Sequence, residues 1–188
     1  MELELLAIRS ALAQIDNVPA GARLSLNASP ATLCTPELVD VLASTPGERL
    51  AIEVTEHAPV EDYAALWAVL SSQRARGAQL MVDDAGARFS SFRHILDLNP
   101  DVIKVDLSLT RDIDTDPLRR ALAASLLAFA HEIGATIVAE GIETQAELAA
   151  LRALGVTHGQ GYLLYRPGPG PVPAQVAVAG APAVVGVP

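Results

Sequence analysis

Short apolar segments alternate with longer helix-like segments along most of this chain, and the alternation limits the folds open to it. Each apolar segment has the length of a β-strand, and successive segments start about 22 to 35 residues apart. That spacing fits a strand followed by a crossover helix, the unit of parallel sheets and (β/α) barrels. The six predicted strands are Arg23–Leu26, Leu50–Val54, Gln79–Val82, Asp101–Val105, Thr136–Ala139 and Gly161–Leu164.

The segments between these strands carry residues that begin and end helices. An N-cap residue followed by proline, or by an acidic residue three positions later, is typical of a helix start. A glycine after the last apolar position is typical of a helix end. The predicted starts are Thr35-Pro36, Asp116-Pro117 and Thr144 with Glu147, and the predicted ends are Gly134 and Gly155. The sequence therefore predicts an α/β fold.

Composition narrows the class of protein. The net charge of −9 argues against a nucleic-acid polymer as partner, since such a surface would be basic. One cysteine, Cys34, and an acidic, helix-like N-terminus favour a cytoplasmic protein without a signal peptide. Residues 169–188 carry no charge, but prolines interrupt them, so we expect a flexible tail rather than a membrane span.

Polar side chains recur where the predicted strands end. The carboxyl ends of parallel strands meet at one edge of the fold, which is where (β/α) barrels carry their sites. Carboxylate and amide oxygens without a histidine or cysteine cluster suit hard divalent cations such as Mg²⁺ or Mn²⁺. The strand-end residues are Asn27, Glu53, Glu56, Asp83, Asp84, Lys104 and Glu140, and Gln160 precedes the last predicted strand.

The adjacent Asp83 and Asp84 are the most specific of these signals. A strand running into an Asx turn explains one such aspartate, but two neighbouring carboxylates repel unless a cation neutralises them. For Lys104 the alternative is a simple ion pair with Asp106. For Glu143 the alternative to a role in the site is a place in the acidic first turn of a helix that starts at Thr144.

Six segments in order resemble the EAL-type cyclic di-GMP phosphodiesterases: LSLNAS, IEVTE, MVDDAG, VIKVD, VAEGIET and HGQGYLLYRP. The resemblance covers residues 1–168 and implies a TIM-like (β/α) barrel that hydrolyses cyclic di-GMP to linear pGpG with two divalent cations, Mg²⁺ or Mn²⁺. It also implies homodimerisation. By resemblance, the metal ligands are Asn27, Glu53, Asp83, Asp84 and Glu140, the catalytic and substrate-binding residues include Lys104, Glu140 and Gln160, and the supporting residues are Glu56 and Glu143.

Two departures from the family pattern qualify the activity. In the family, the Glu-Ala-Leu strand lies further before the Asn27 position than the residues that precede Asn27 here allow. Glu2 and Glu4 lie in a helical pattern, so we do not assign either as the glutamate of that strand. We therefore expect an incomplete barrel without its first strand and helix. The loop after Asp84 reads Ala85-Gly86-Ala87-Arg88 where the family has Phe-Gly-Thr-Gly. The alternatives are a degenerate module that binds cyclic di-GMP or a partner protein without turnover, and an unrelated metal-dependent barrel enzyme.

Overall fold

The computed structural model describes residues 2–54, 62–85 and 95–168. Glu56, the loop from Gly86 to Arg88 and the tail of residues 169–188 lie outside these ranges. The chain divides into two compact units, the first ending at Val82 and the second starting at Asp83.

The first unit is built from parallel strands and helices in alternation. Its strands pair in chain order, with Leu24 opposite Leu50 and Ala51 opposite Gln79. All five residues of the second strand are buried, as expected for an apolar strand paired on both sides. The elements are α1 (Glu2–Leu12), β1 (Leu24–Ala28), α2 (Pro30–Leu33), α3 (Pro36–Ala43), β2 (Leu50–Val54), α4 (Tyr63–Ala75) and most of β3 (Gln79–Ala85), with 3₁₀ turns at Ile15–Asn17 and Gly47–Arg49.

The second unit continues the same alternation. Val102 lies opposite Thr136 and Val138 opposite His158, again in parallel. Its elements are the end of β3, β4 (Val102–Val105), α5 (Leu107–Thr110), α6 (Pro117–Ile133), β5 (Thr136–Ala139), α7 (Gln145–Leu154) and β6 (His158–Gly159), and residues 95–98 are helical. One apolar cluster packs α6 and α7 around the end of β5, and its members are Ile113, Ala123, Ala139, Ile142, Leu148, Leu151 and Leu164.

The predicted helix signals are confirmed. The Thr35 and Asp116 side chains accept backbone N–H groups at the starts of α3 and α6. Thr144 and Glu147 form a complete capping box at α7. Gly134 and Gly155 end α6 and α7 in left-handed conformations.

Five predicted strands are found within a few residues of their expected bounds, and the sixth prediction is wrong. Residues 161–164 form a turn, in which the Leu164 N–H donates to the Gly161 carbonyl at 3.0 Å. The strand is His158–Gly159, so Gln160 follows it instead of preceding it. The apolar run GYLL misled the pattern because Leu164 is buried in the cluster under α7 without belonging to a strand.

The predicted fold class is confirmed. Six parallel strands follow one another in chain order with helices between them, which fits an incomplete TIM-like (β/α) barrel. No helix in the described ranges has the length and apolarity that a membrane crossing requires.

Candidate metal centre

Three strands of the second unit end in charged or polar side chains that lie together. Asp83 and Asp84 are in the last three residues of β3, Lys104 is in β4, and Glu140 directly follows β5. Parallel register brings these ends to one edge: the Glu140 N–H donates to the Val105 carbonyl at 3.0 Å. The polar residues of the site therefore lie at or next to the ends of the strands that the local sequence predicts.

Lys104 joins two of the carboxylates. Its Nζ lies 2.6 Å from Glu140 Oε1 and 3.1 Å from Asp83 Oδ1, and the residue is only 6 % exposed. A buried ammonium needs such anionic partners to offset its loss of hydration. Asp106, the partner in the alternative interpretation, instead caps α5 by accepting the Ser108 N–H at 2.8 Å.

The carboxylates of Asp83, Asp84 and Glu140 converge. Each offers an oxygen within 4.8 Å of those of the other two, and all three residues are half-buried. Asp84 has a left-handed backbone, with φ at 54°, which is unusual for a residue other than glycine and turns the chain at the end of β3. Three convergent carboxylates form a ligand set that suits a hard divalent cation such as Mg²⁺ or Mn²⁺.

Gln160 belongs to the same group. Its side-chain Nε2 donates to Glu140 Oε1 at 2.5 Å, and its backbone N–H donates to the Ala139 carbonyl at 2.8 Å. Gly161 then passes so close to Ile142 that a Cβ atom would lie 2.2 Å from the backbone nitrogen and oxygen of that residue. Only glycine permits this approach, which fixes the segment that carries Gln160.

A buried glutamate holds the chain that follows Glu140. Glu147 is 5 % exposed, and its Oε2 accepts the N–H groups of Glu143 and Thr144 at 3.0 and 2.9 Å. Its Oε1 accepts the Asp112 N–H at 3.2 Å. Burial alone would raise the pKa of Glu147, but these three N–H donors outweigh it and lower the pKa below the usual value. The Glu143 side chain itself is exposed.

Asn27 and Glu53 are neighbours in the first unit, directly opposite each other on β1 and β2. Asn27 is exposed, whereas Glu53 is 4 % exposed and accepts a short hydrogen bond from Ser25 Oγ. Ser25 lies two residues before Asn27 and therefore on the same face of β1.

The structure brings together five of the predicted site residues: Asp83, Asp84, Lys104, Glu140 and Gln160. The roles predicted for these five residues stay predictions, as do the ligand roles of Asn27 and Glu53 and the supporting roles of Glu56 and Glu143. Sequence reasoning missed Ser25, which period-two alternation from Asn27 could have found, and treated Glu147 only as a helix cap.

Comparisons with known proteins give the same family as the motifs. The family model described as the EAL domain matches residues 1–167. A cyclic di-GMP phosphodiesterase from Pseudomonas aeruginosa is 36 % identical over 118 residues, which cover 63 % of this chain and 20 % of that protein. A probable cyclic di-GMP phosphodiesterase from Escherichia coli is 30 % identical over 156 residues, or 80 % of this chain and 31 % of that protein. The chain thus spans less than a third of either relative.

Solved structures give a similar result. BlrP1 from Klebsiella pneumoniae, in a complex with calcium and cyclic di-GMP, matches 90 % of this chain and 46 % of its own, with 33 % identity and a TM-score of 0.78. The same protein has also been solved with manganese and cyclic di-GMP, and that structure matches with a TM-score of 0.77.

Proposed function

Because this chain belongs to the EAL domain family, we propose that its carboxylate cluster serves the metal-dependent hydrolysis of cyclic di-GMP to linear pGpG. The observation that carries the proposal is the convergence of Asp83, Asp84 and Glu140 around Lys104 at the carboxyl ends of parallel strands. A cyclic dinucleotide is an anionic phosphodiester, and a site that binds cations beside a lysine suits that charge.

The donor set fits divalent cations, and by family resemblance we propose two of them, Mg²⁺ or Mn²⁺. Every member of the cluster offers carboxylate oxygen, the ligand that hard divalent cations prefer. Calcium and manganese in the complexes of a similar protein support the same class of ion. We assign Asp83, Asp84 and Glu140 as ligands, with Asn27 and Glu53 as further ligands by family resemblance.

When bound, the cations would neutralise phosphate charge and lower the pKa of a coordinated water. The residues of the chain supply the remaining functions. Lys104 Nζ offsets the negative charge that builds up on the phosphate oxygens in the transition state. The Glu140 carboxylate accepts a proton from the attacking water, and Gln160 Nε2 orients that carboxylate through its hydrogen bond to Oε1.

A second function is a module that binds cyclic di-GMP or a partner protein without hydrolysis. It is favoured by the altered loop after Asp84, where Ala85, Ala87 and Arg88 replace family residues. Under both functions we assign the domain to residues 1–168 and the protein to the cytoplasm, which suits a chain with one cysteine. Homodimerisation remains part of the proposal by family resemblance.

Chromatography of cyclic di-GMP incubated with the protein and Mn²⁺ separates the two functions. Conversion to pGpG that is abolished by Asp83→Asn, and unchanged by the exposed Glu132→Gln, supports the enzyme. Lys104→Ala should lower turnover much more than nucleotide affinity, because its charge matters most in the transition state. Nucleotide binding by calorimetry without any pGpG would instead establish the binding module and contradict hydrolysis.

A further inference from the structure

Lys104 is the only lysine of the sequence. The other side chains that carry a full positive charge at neutral pH are all arginines. It is also among the few buried charged residues in the described ranges, and it contacts two members of the carboxylate cluster. An arginine would present a rigid, planar fork of donors, but a lysine presents a compact charge on a flexible stem that can change its position. The single lysine therefore places a positive charge that can change its position beside the carboxylate cluster.

The contacts of Lys104 involve the same carboxylates that we assign to the metal. Its Nζ contacts Asp83 Oδ1 and Glu140 Oε1, and these residues together with Asp84 make up the convergent group. Three carboxylates and one ammonium leave a formal charge of −2, which is smaller than the cluster would carry alone. An ammonium within hydrogen-bond distance of two ligand residues repels any cation that binds to them.

We propose that Lys104 is an internal counter-cation that competes with a divalent cation for Asp83 and Glu140. In the metal-free protein it offsets the mutual repulsion of the carboxylates, and on metal binding its ammonium moves away from them. The lysine thus weakens metal binding while keeping the site folded without metal. This inference rests on the proposed function only in taking these carboxylates as metal ligands.

The test compares Mn²⁺ binding to three forms of the full chain by titration calorimetry without nucleotide. Lys104→Met keeps the length and apolar stem of the side chain and removes the charge, and Lys104→Arg keeps the charge. We expect Lys104→Met to bind Mn²⁺ at least about tenfold more tightly, or ~1.4 kcal/mol. Lys104→Arg should bind no more tightly than the natural protein, because it keeps the charge on a less adaptable group. Equal or weaker binding by Lys104→Met overturns the competition, as does the absence of binding in all three forms.

A second measurement uses only the natural protein and tests the displacement of the Lys104 ammonium even if Lys104→Met fails to fold. Because the chain has one lysine, protein labelled with ¹³C and ¹⁵N only in lysine gives a single side-chain ammonium signal. Saturation with Mg²⁺ should shift that signal and speed its exchange with solvent, because the ion pairs are broken. An unchanged signal at saturation would refute displacement. Tighter Mn²⁺ binding by Lys104→Met, together with no hydrolysis of cyclic di-GMP by the natural protein, would uphold the inference and reject the proposed function.

Discussion

The largest loss of stability that we expect from a single polar substitution is at Glu147. Its carboxylate accepts three backbone N–H groups from two segments that are more than 30 residues apart in the chain. Hydrogen bonds to a charged acceptor contribute about 1.5–3 kcal/mol each, although bonds that share one carboxylate do not add fully. We therefore expect Glu147→Ala to lower the free energy of unfolding by roughly 3–5 kcal/mol.

The amide variant gives a finer comparison. Glu147→Gln retains one acceptor oxygen, which can still serve the Glu143 and Thr144 N–H groups, but it turns a donor toward the Asp112 N–H. The expected loss is about 2 kcal/mol. Glu132→Gln makes the same chemical change at an exposed position of α6 and should stay within about 0.5 kcal/mol of the natural protein.

The pH dependence follows from the lowered pKa of Glu147. A carboxyl whose pKa is lower in the folded protein contributes stability that is complete above its unfolded pKa and is lost as the pH falls through its folded pKa. The difference in unfolding free energy between the natural protein and Glu147→Gln should therefore be largest near neutral pH and shrink under acid conditions.

Urea unfolding followed by circular dichroism measures these differences, and hydrogen exchange with mass spectrometry locates them. Amide protection should fall mainly at Asp112 in Glu147→Gln, at Asp112, Glu143 and Thr144 in Glu147→Ala, and at none of them in Glu132→Gln. If Glu147→Gln unfolds within 0.5 kcal/mol of the natural protein, or if the difference does not change with pH, then the carboxylate does not hold these two segments together.

Three other substitutions test other parts of the structure. Asp83→Asn should weaken Mn²⁺ binding more than about tenfold by calorimetry, because a ligand loses its charge, and unchanged affinity would count against the centre. Gly161→Ala should lower the unfolding free energy by about 1–3 kcal/mol, because its Cβ would overlap the Ile142 backbone; a change below 0.5 kcal/mol in urea unfolding would contradict that contact. Glu4→Gln should lower the unfolding free energy by about 1–2 kcal/mol at neutral pH, because Ser29 and Thr32 donate to the Glu4 carboxylate and lower its pKa. The control is the same change at exposed Glu2, and equal losses of stability in the two variants would refute the role of Glu4.

The sequence was sufficient for most of the fold because local signals agreed with one another. Apolar runs flanked by capping residues marked five strands and three helix starts, and each signal depends on neighbours within a few residues. The sixth strand was misplaced because its two residues, His158 and Gly159, have no apolar pattern. They form a strand because β5 offers its free edge, and such tertiary pairing leaves little trace in local sequence.

The site was predictable to the extent that it depends on strand ends. Residues at the ends of adjacent parallel strands must be close, so Asp83, Lys104 and Glu140 could be grouped from sequence alone. The ion-pair partner of Lys104 could not be predicted from sequence, because neighbouring Asp106 and distant Asp83 are equally plausible until the direction of each side chain is known. The left-handed backbone of Asp84 was also missed, because residues other than glycine rarely adopt that conformation.

Pairing between strands that are consecutive in the chain also affects how the protein folds. Opposed residues are between 20 and 34 positions apart in sequence. Loop-closure entropy grows only slowly with loop length, so each pairing closes a loop at a similar, moderate entropic cost. No pairing among these has to wait for a strand at the far end of the chain. We therefore expect each of these pairings to form soon after its second strand has been synthesised, so that assembly follows the order of translation.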